Sequence, residues 1–213
     1  MFPGVFRSGR LLYTENLVPG QRVYGEKLLR KGKEYREWDP SRSKLGAALL
    51  KGLKNMPICK ESKVLYLGAS TGTTVSHVSD ITREGIVYAV EFAERVFHPL
   101  LELQKKRKNI APILADARKP EEYGWIEECD VLFCDIAQPD QSLIAIRNAK
   151  MLVKKGGIMM LVVKSQSIDV TKDPIKVYKE EETKLIDAGF TLLETIRLEP
   201  YEEKHAMIVA RVE

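Results

Sequence analysis

From Lys63 onward, short apolar runs alternate with longer stretches in which apolar residues recur at helical spacing. The apolar runs fall at residues 64–67, 86–91, 110–114, 131–134, 157–163, 191–198 and 206–212. Their length and β-branched content predict strands. Val64-Leu65-Tyr66-Leu67 and Ile158-Met159-Met160-Leu161-Val162-Val163 have no polar alternate positions, which suits strands covered on both faces. Between most of them lie helix-length segments, at 74–81, 95–105, 141–152 and 175–188. This alternation predicts a parallel sheet with right-handed crossovers. Only residues 199–205 separate the last two runs, too few for a crossover helix, so these form an antiparallel hairpin. With the sixth strand parallel to the others, the seventh starts at the carboxyl edge. His205 is then brought to the same edge as Asp135 and Lys164.

The first part of the chain follows another pattern. Strand-like pieces at 5–6, 11–13 and 22–28 are punctuated by Gly4, Gly9, Pro19-Gly20 and Gly32. They predict a small antiparallel lobe over residues 1–35. Asp39-Pro40 opens a helix through residues 43–50 that ends near Gly52, with proline in its first turn. The division expected is a β-rich lobe with its linking helix at 1–55 and an α/β domain at 56–213.

Composition changes this picture little: 44% hydrophobic and 30% charged residues are ordinary for a globular chain. Charges interrupt every apolar stretch well before about 18 residues, so no membrane span is expected. Met1-Phe2-Pro3-Gly4 lacks the basic flank of a secretory signal, and none is expected. Cys59, Cys129 and Cys134 form no CxxC pair, so they read as structural thiols of a reducing cytosol, with no metal site and no disulfide. Charge is more informative. The net value of +4 conceals 14 Lys/Arg against 6 Asp/Glu in residues 1–63 and 20 against 24 in the rest. Such a basic region is either a solvated face or a surface for phosphates.

The chemistry gathers where the strands end. Gly68-Ala69-Ser70-Thr71-Gly72-Thr73-Thr74 is a glycine turn leading from the first strand into a helix. It is neither GxGxxG nor a P-loop. Glu91 ends the next strand, where an acid accepts hydrogen bonds from ribose hydroxyls. Asp116 follows the third strand, placed to accept from an adenine amino group, with Phe92 and Ala117 as apolar walls. Asp135 ends the fourth and Lys164 the fifth. Acids at three successive strand ends after a glycine loop point to an adenosine-containing ligand, and the extra acids favour S-adenosylmethionine over a dinucleotide. Trp38 and Trp125 read as packing residues, His77 and His98 as structural or exposed, and Lys105-Lys106-Arg107-Lys108 as a solvated helix end.

Several longer strings carry a more specific resemblance: Tyr35-Arg36-Glu37-Trp38-Asp39-Pro40-Ser41-Arg42-Ser43-Lys44-Leu45, Tyr66 to Asp80, Asp135-Ile136-Ala137-Gln138-Pro139-Asp140-Gln141, Lys164-Ser165-Gln166-Ser167-Ile168-Asp169 and Tyr201-Glu202-Glu203-Lys204-His205-Ala206. Together they resemble fibrillarin, in its short archaeal form without a glycine/arginine-rich tail. The resemblance implies a class I, S-adenosylmethionine-dependent methyltransferase fold. It also implies 2′-O-methylation of ribose in rRNA and tRNA, and a cytoplasmic location. It further implies a cofactor site lined by Gly68, Ala69, Thr73, Thr74, Glu91, Phe92, Asp116, Ala117, Asp135 and Gln138. Lys44, Asp135, Lys164 and His205 match the residues around the target ribose, with Lys44 the expected cationic neighbour of Lys164. The implied partners are a box C/D guide RNA, substrate RNA, a Nop-domain scaffold protein and a kink-turn-binding ribosomal-type protein. Three readings compete: a structural S-adenosylmethionine-binding subunit, a methyltransferase acting on protein or a small molecule, and a nicotinamide oxidoreductase.

Overall fold

The computed structural model describes residues 2–213. A four-stranded antiparallel sheet, ordered β1-β2-β4-β3, comes first: β1 (Val5–Ser8), β2 (Leu11–Glu15), β3 (Leu28–Lys31) and β4 (Lys33–Trp38). After helix α1 (Lys44–Leu50), seven more strands form the main sheet: β5 (Lys63–Leu67), β6 (Ile86–Glu91), β7 (Ile110–Leu114), β8 (Cys129–Cys134), β9 (Val153–Lys164), β10 (Thr191–Arg197) and β11 (His205–Arg211). Their order is β10-β11-β9-β8-β5-β6-β7. Strands β5 to β9 are parallel, and β11 is antiparallel to both of its neighbours. The expected hairpin is present.

Side-chain alternation sorts the core into two layers. Val64, Tyr66, Val131 and Phe133 face α1, α2 (Thr73–Ile81), α3 (Glu94–Lys106) and the lobe residues Val5, Leu12 and Trp38. Leu65, Leu67, Leu132 and Cys134 face α4 (Gln141–Leu152) and α6 (Pro174–Asp187) on the other side. A short helix, α5 (Ser165–Ile168), follows β9 directly. No helix among the described residues is long and apolar enough to cross a membrane.

The structure departs from the sequence expectations near the lobe. Residues 22–27 form no strand, because the Glu26 carboxylate gathers the N–H groups of Val23 and Tyr24 into a turn around itself. The sheet is completed instead by the hairpin β3–β4 across Gly32, so the lobe runs to Trp38. Nor is there one helix from Asp39. Asp39 caps a 3-10 turn at Pro40–Arg42, the chain becomes extended at Ser43, and Ser43 caps α1 through its hydroxyl. Trp38 packs as expected and stacks on His77 with centroids 4.6 Å apart. Gly46 permits this inside a helix, since a Cβ there would stand 3.1 Å from Trp38 Nε1. Trp125 does not pack: it is 71% exposed in the loop before β8.

A buried charged cluster fastens the lobe to α2. Asp80 is fully buried and accepts from Arg36 Nη1 at 2.8 Å, Arg107 Nη1 at 2.6 Å, Thr14 Oγ1 at 2.7 Å and the Leu17 N–H at 2.9 Å. Glu26 balances Arg36 at 2.5 Å, which leaves two cations facing two carboxylates. Thr14 gives its hydroxyl proton to Asp80, so His77 Nδ1–H donates to Thr14 at 2.8 Å, leaving Nε2 as the acceptor beside the Tyr24 hydroxyl at 2.7 Å. His77 is therefore neutral, consistent with burial and the charges of Arg36 and Arg107 pulling it well below the ordinary value.

Two outcomes follow for stability. Asp80→Asn strands two buried guanidinium groups with one carboxylate, and a loss of about 3–5 kcal/mol is expected on chemical denaturation. The second concerns pH. Below about pH 6.5 the unfolded His77 binds a proton that the folded one refuses, so stability falls with pH by up to about 1.4 kcal/mol per unit. Denaturation at several pH values is expected to show this slope reduced by one proton in His77→Gln.

Candidate active site

The loop after β5 is shaped by a close approach. Gly68 has φ +82°, and a Cβ on it would lie 2.7 Å from the Asp135 carbonyl oxygen. The ends of β5 and β8 are thereby drawn together, with Asp135 N–H donating to Leu67 O at 2.9 Å. A cavity of about 280 Å³ opens at this carboxyl edge. Gly68, Glu91, Phe92, Asp116, Ala117, Asp135, Gln138 and Lys164 line it, as the sequence leads one to expect, joined by Ser70, Ala115, Arg118, Ile136 and Ala137. Phe92 stands at its rim, 66% exposed.

Each acid is fixed by backbone donors. Glu91 takes the N–H of Ser70 at 2.8 Å on one oxygen and those of Phe92 and Ala93 at 3.0 and 2.9 Å on the other. Asp116 accepts from the Arg118 N–H at 2.9 Å. Asp135 is different. Lys164 Nζ lies 2.8 Å from Asp135 Oδ1, an ion-pair distance, yet its hydrogen bond goes to the Asp135 carbonyl oxygen at 3.0 Å. Oδ1 is buried, with this ammonium as its charged neighbour. Burial pushes the neighbouring Cys134 thiol up to about 12, so that sulfur stays protonated and inert.

Register brings the terminal strand to the same place. His205 of β11 stands directly opposite Lys164 of β9, so the two side chains share a face of the sheet. His205 Nδ1 donates to the Glu203 carbonyl at 2.6 Å, which leaves Nε2 as its acceptor. Lys44 enters from the lobe side. Ser43, fully buried, accepts from Thr74 Oγ1 at 2.9 Å and clips the start of α1 to the first turn of α2. The Lys44 ammonium faces Glu202 at 3.5 Å.

Other expected residues stand outside the cavity wall. Ala69 is buried in the loop, and Thr74 turns its hydroxyl toward Ser43. Thr73 opens α2, where first-turn N–H groups have no intrahelical partner. Two residues of the site escaped the sequence reading. Arg118 donates to Gln138 Oε1 at 2.8 Å and to both Asp140 oxygens, and it holds that loop over the cavity. Gln141 is fully buried; its Oε1 accepts from the Lys164 N–H at 3.1 Å and its Nε2 donates to Gln138 O at 2.9 Å. Polar residues entering a helix from a strand end were the available signal.

An acid-lined cavity at the carboxyl edge of this sheet, beside an inserted antiparallel strand, defines a nucleoside-binding enzyme of the methyltransferase fold. The family model for fibrillarin matches residues 1–213, and the chain belongs to the fibrillarin family. It is 53% identical over 215 residues to the fibrillarin-like rRNA/tRNA 2′-O-methyltransferase of Sulfurisphaera tokodaii, covering 99% of this chain and 92% of that one. The crystal structure of Aeropyrum pernix fibrillarin with natively bound S-adenosyl-L-methionine superposes with TM-score 0.88 at 50% identity, over 94% and 88% of the two chains. A fibrillarin/Nop5p complex superposes with TM-score 0.92 at 41% identity, over 100% and 99%.

The close approach at Gly68 can be isolated by substitution. Gly52 has a similar φ of +93° and open space around its Cβ position. Gly52→Ala is expected to cost about 1–2 kcal/mol from backbone strain alone. Gly68→Ala is expected to cost clearly more in the same denaturation assay, because it also displaces the Asp135 carbonyl.

Proposed function

We propose that this chain transfers a methyl group from S-adenosylmethionine to ribose 2′-hydroxyls of rRNA and tRNA, as the catalytic subunit of a guide-RNA particle. The observation that carries this reading is the Lys164–Asp135 pair in the wall of an acid-lined cavity, with His205 opposite Lys164 in the sheet register. The cavity suits the cofactor. Glu91, Asp116 and Asp135 offer carboxylates to hydroxyl, amino and cationic groups, and phosphates would be repelled. Glu91 is assigned to the ribose, Asp116 to the adenine amino group, and Phe92 and Ala117 to the ring faces. Gln138 and the backbone of Gly68, Ala69, Thr73 and Thr74 complete the cofactor site.

S-adenosylmethionine supplies an activated methyl group when bound. The residues of the chain must then align and activate a poor nucleophile, a protonated hydroxyl. Alignment alone accounts for as much as about 7–11 kcal/mol in ideal cases. Lys164, fixed by both oxygens of the Asp135 edge, donates to the acceptor oxygen as negative charge develops there. His205 Nε2 receives the hydroxyl proton, its other nitrogen being committed to Glu203. Lys44 borders the ribose from the lobe side, and Gln141 keeps Lys164 in register with the Gln138 loop.

Family membership supports the remaining partners: a box C/D guide RNA that selects the target by pairing, a Nop-domain scaffold protein, and a kink-turn-binding protein. Reconstitution with guide RNA, scaffold protein and a labelled methyl donor tests the reading. Label is expected on a ribose 2′-oxygen, whereas label on protein would favour the protein methyltransferase. Lys164→Ala is expected to lower transfer by about 10²–10³-fold with cofactor affinity retained. Near-normal turnover in that variant would overturn the assignment.

A further inference from the structure

The loop that borders the cofactor cavity also borders a second depression. Gly68 and Ser70 line the cavity, while Thr71 and Thr73 line a groove of about 400 Å³ between the lobe and α3. Arg22, Tyr24, Arg42 and Lys106 supply much of its remaining surface.

Its charge is left uncompensated. Among the described residues, four nearby lobe cations have carboxylate partners: Arg30 with Glu34, Lys33 with Glu15, Arg36 with Glu26 and Asp80, Lys44 with Glu202. Arg42 instead lies over the Tyr24 ring, 5.0 Å from its centroid, and donates to the Tyr24 carbonyl at 3.3 Å. A carbonyl and a ring face hold the guanidinium in place without cancelling its charge. Lys106 Nζ donates to the neutral Gln21 Oε1 at 2.8 Å, which ties the Gln21-Arg22 segment to the end of α3. Glu102 is the carboxylate of the groove wall, and Lys105 bridges it at 2.6 Å.

The position is as telling as the charge. Arg42 precedes the buried Ser43, which caps the helix that begins with Lys44, so one short segment joins the groove to the ribose site. Resting on the methyltransferase reading above, we propose that this groove seats RNA backbone phosphates beside the nucleotide being methylated. It grips by charge and hydroxyl contacts and reads no base sequence, as phosphate contacts do.

The test uses the full chain and a labelled RNA duplex of arbitrary sequence, with affinity followed against KCl concentration. Each lost phosphate contact lowers the slope of log K against log salt by about 1. Arg22→Gln/Arg42→Gln is expected to flatten that slope by about 2. Arg42→Lys is expected to preserve it, and cofactor affinity is expected to be unchanged in every variant, which certifies the fold. In the reconstituted particle the double variant is expected to raise KM for RNA with little effect on kcat. An unchanged slope in the double variant overturns the groove, as does absence of RNA binding by the unsubstituted chain at low salt. A flattened slope together with no RNA methylation by the unsubstituted particle leaves the groove standing and overturns the enzymatic reading instead.

Discussion

Everything at the reactive edge depends on the buried charges around Asp80. A lobe of fewer than about 40 residues has too little core to stand alone. Here it is fixed to α2 by Arg36, which reaches from β4 to Asp80, while Arg107 reaches the same carboxylate from the end of α3. Removing such charges from water is costly, and the balance of two cations and two carboxylates with a neutral His77 makes it bearable. Once the lobe is fixed, Trp38 sits on His77, Gly46 closes over Trp38, and Ser43 meets Thr74. Arg42 and Lys44, which flank Ser43, are positioned by the same packing.

The site has two halves built by different means. Its acids are held by local backbone N–H groups, within a residue or two of Glu91 and Asp116, or by the neighbouring loop at Ser70. The acceptor half proposed above is assembled from distant parts: Asp135 and Lys164 from adjacent parallel strands, His205 from a strand that returns between β9 and β10. Gln141 joins the halves, since one buried amide touches both the Gln138 loop and the Lys164 backbone.

What could be read from the chain follows from how each feature is encoded. The main sheet was legible because its runs are apolar on both faces and its crossovers are helix-length, and Gln141–Leu152 emerged with the bounds expected. The final hairpin followed from a connection too short for a helix. The antiparallel lobe was legible as such, but not its strand bounds, because long-range polar contacts decide them. Val23-Tyr24 looks like a strand until Glu26 claims its amides, and that carboxylate is buried only because Arg36 lies beside it. Trp125 shows the converse: a large aromatic type says little about burial in a loop. Arg118 and Gln141 were hidden because their value lies in which loop they touch.

The antiparallel insertion of β11 also has a consequence for biosynthesis. Until the last stretch of chain has been made, β9 has no partner on its outer side and β10 has no sheet to join. Lys164 would then sit on a bare strand edge with no His205 opposite it. The cofactor half, encoded between β5 and β8, can form earlier. On the proposed assignment, a nascent chain gains its ligand pocket before its means of acting on an acceptor, so that reactivity emerges only after the pocket does.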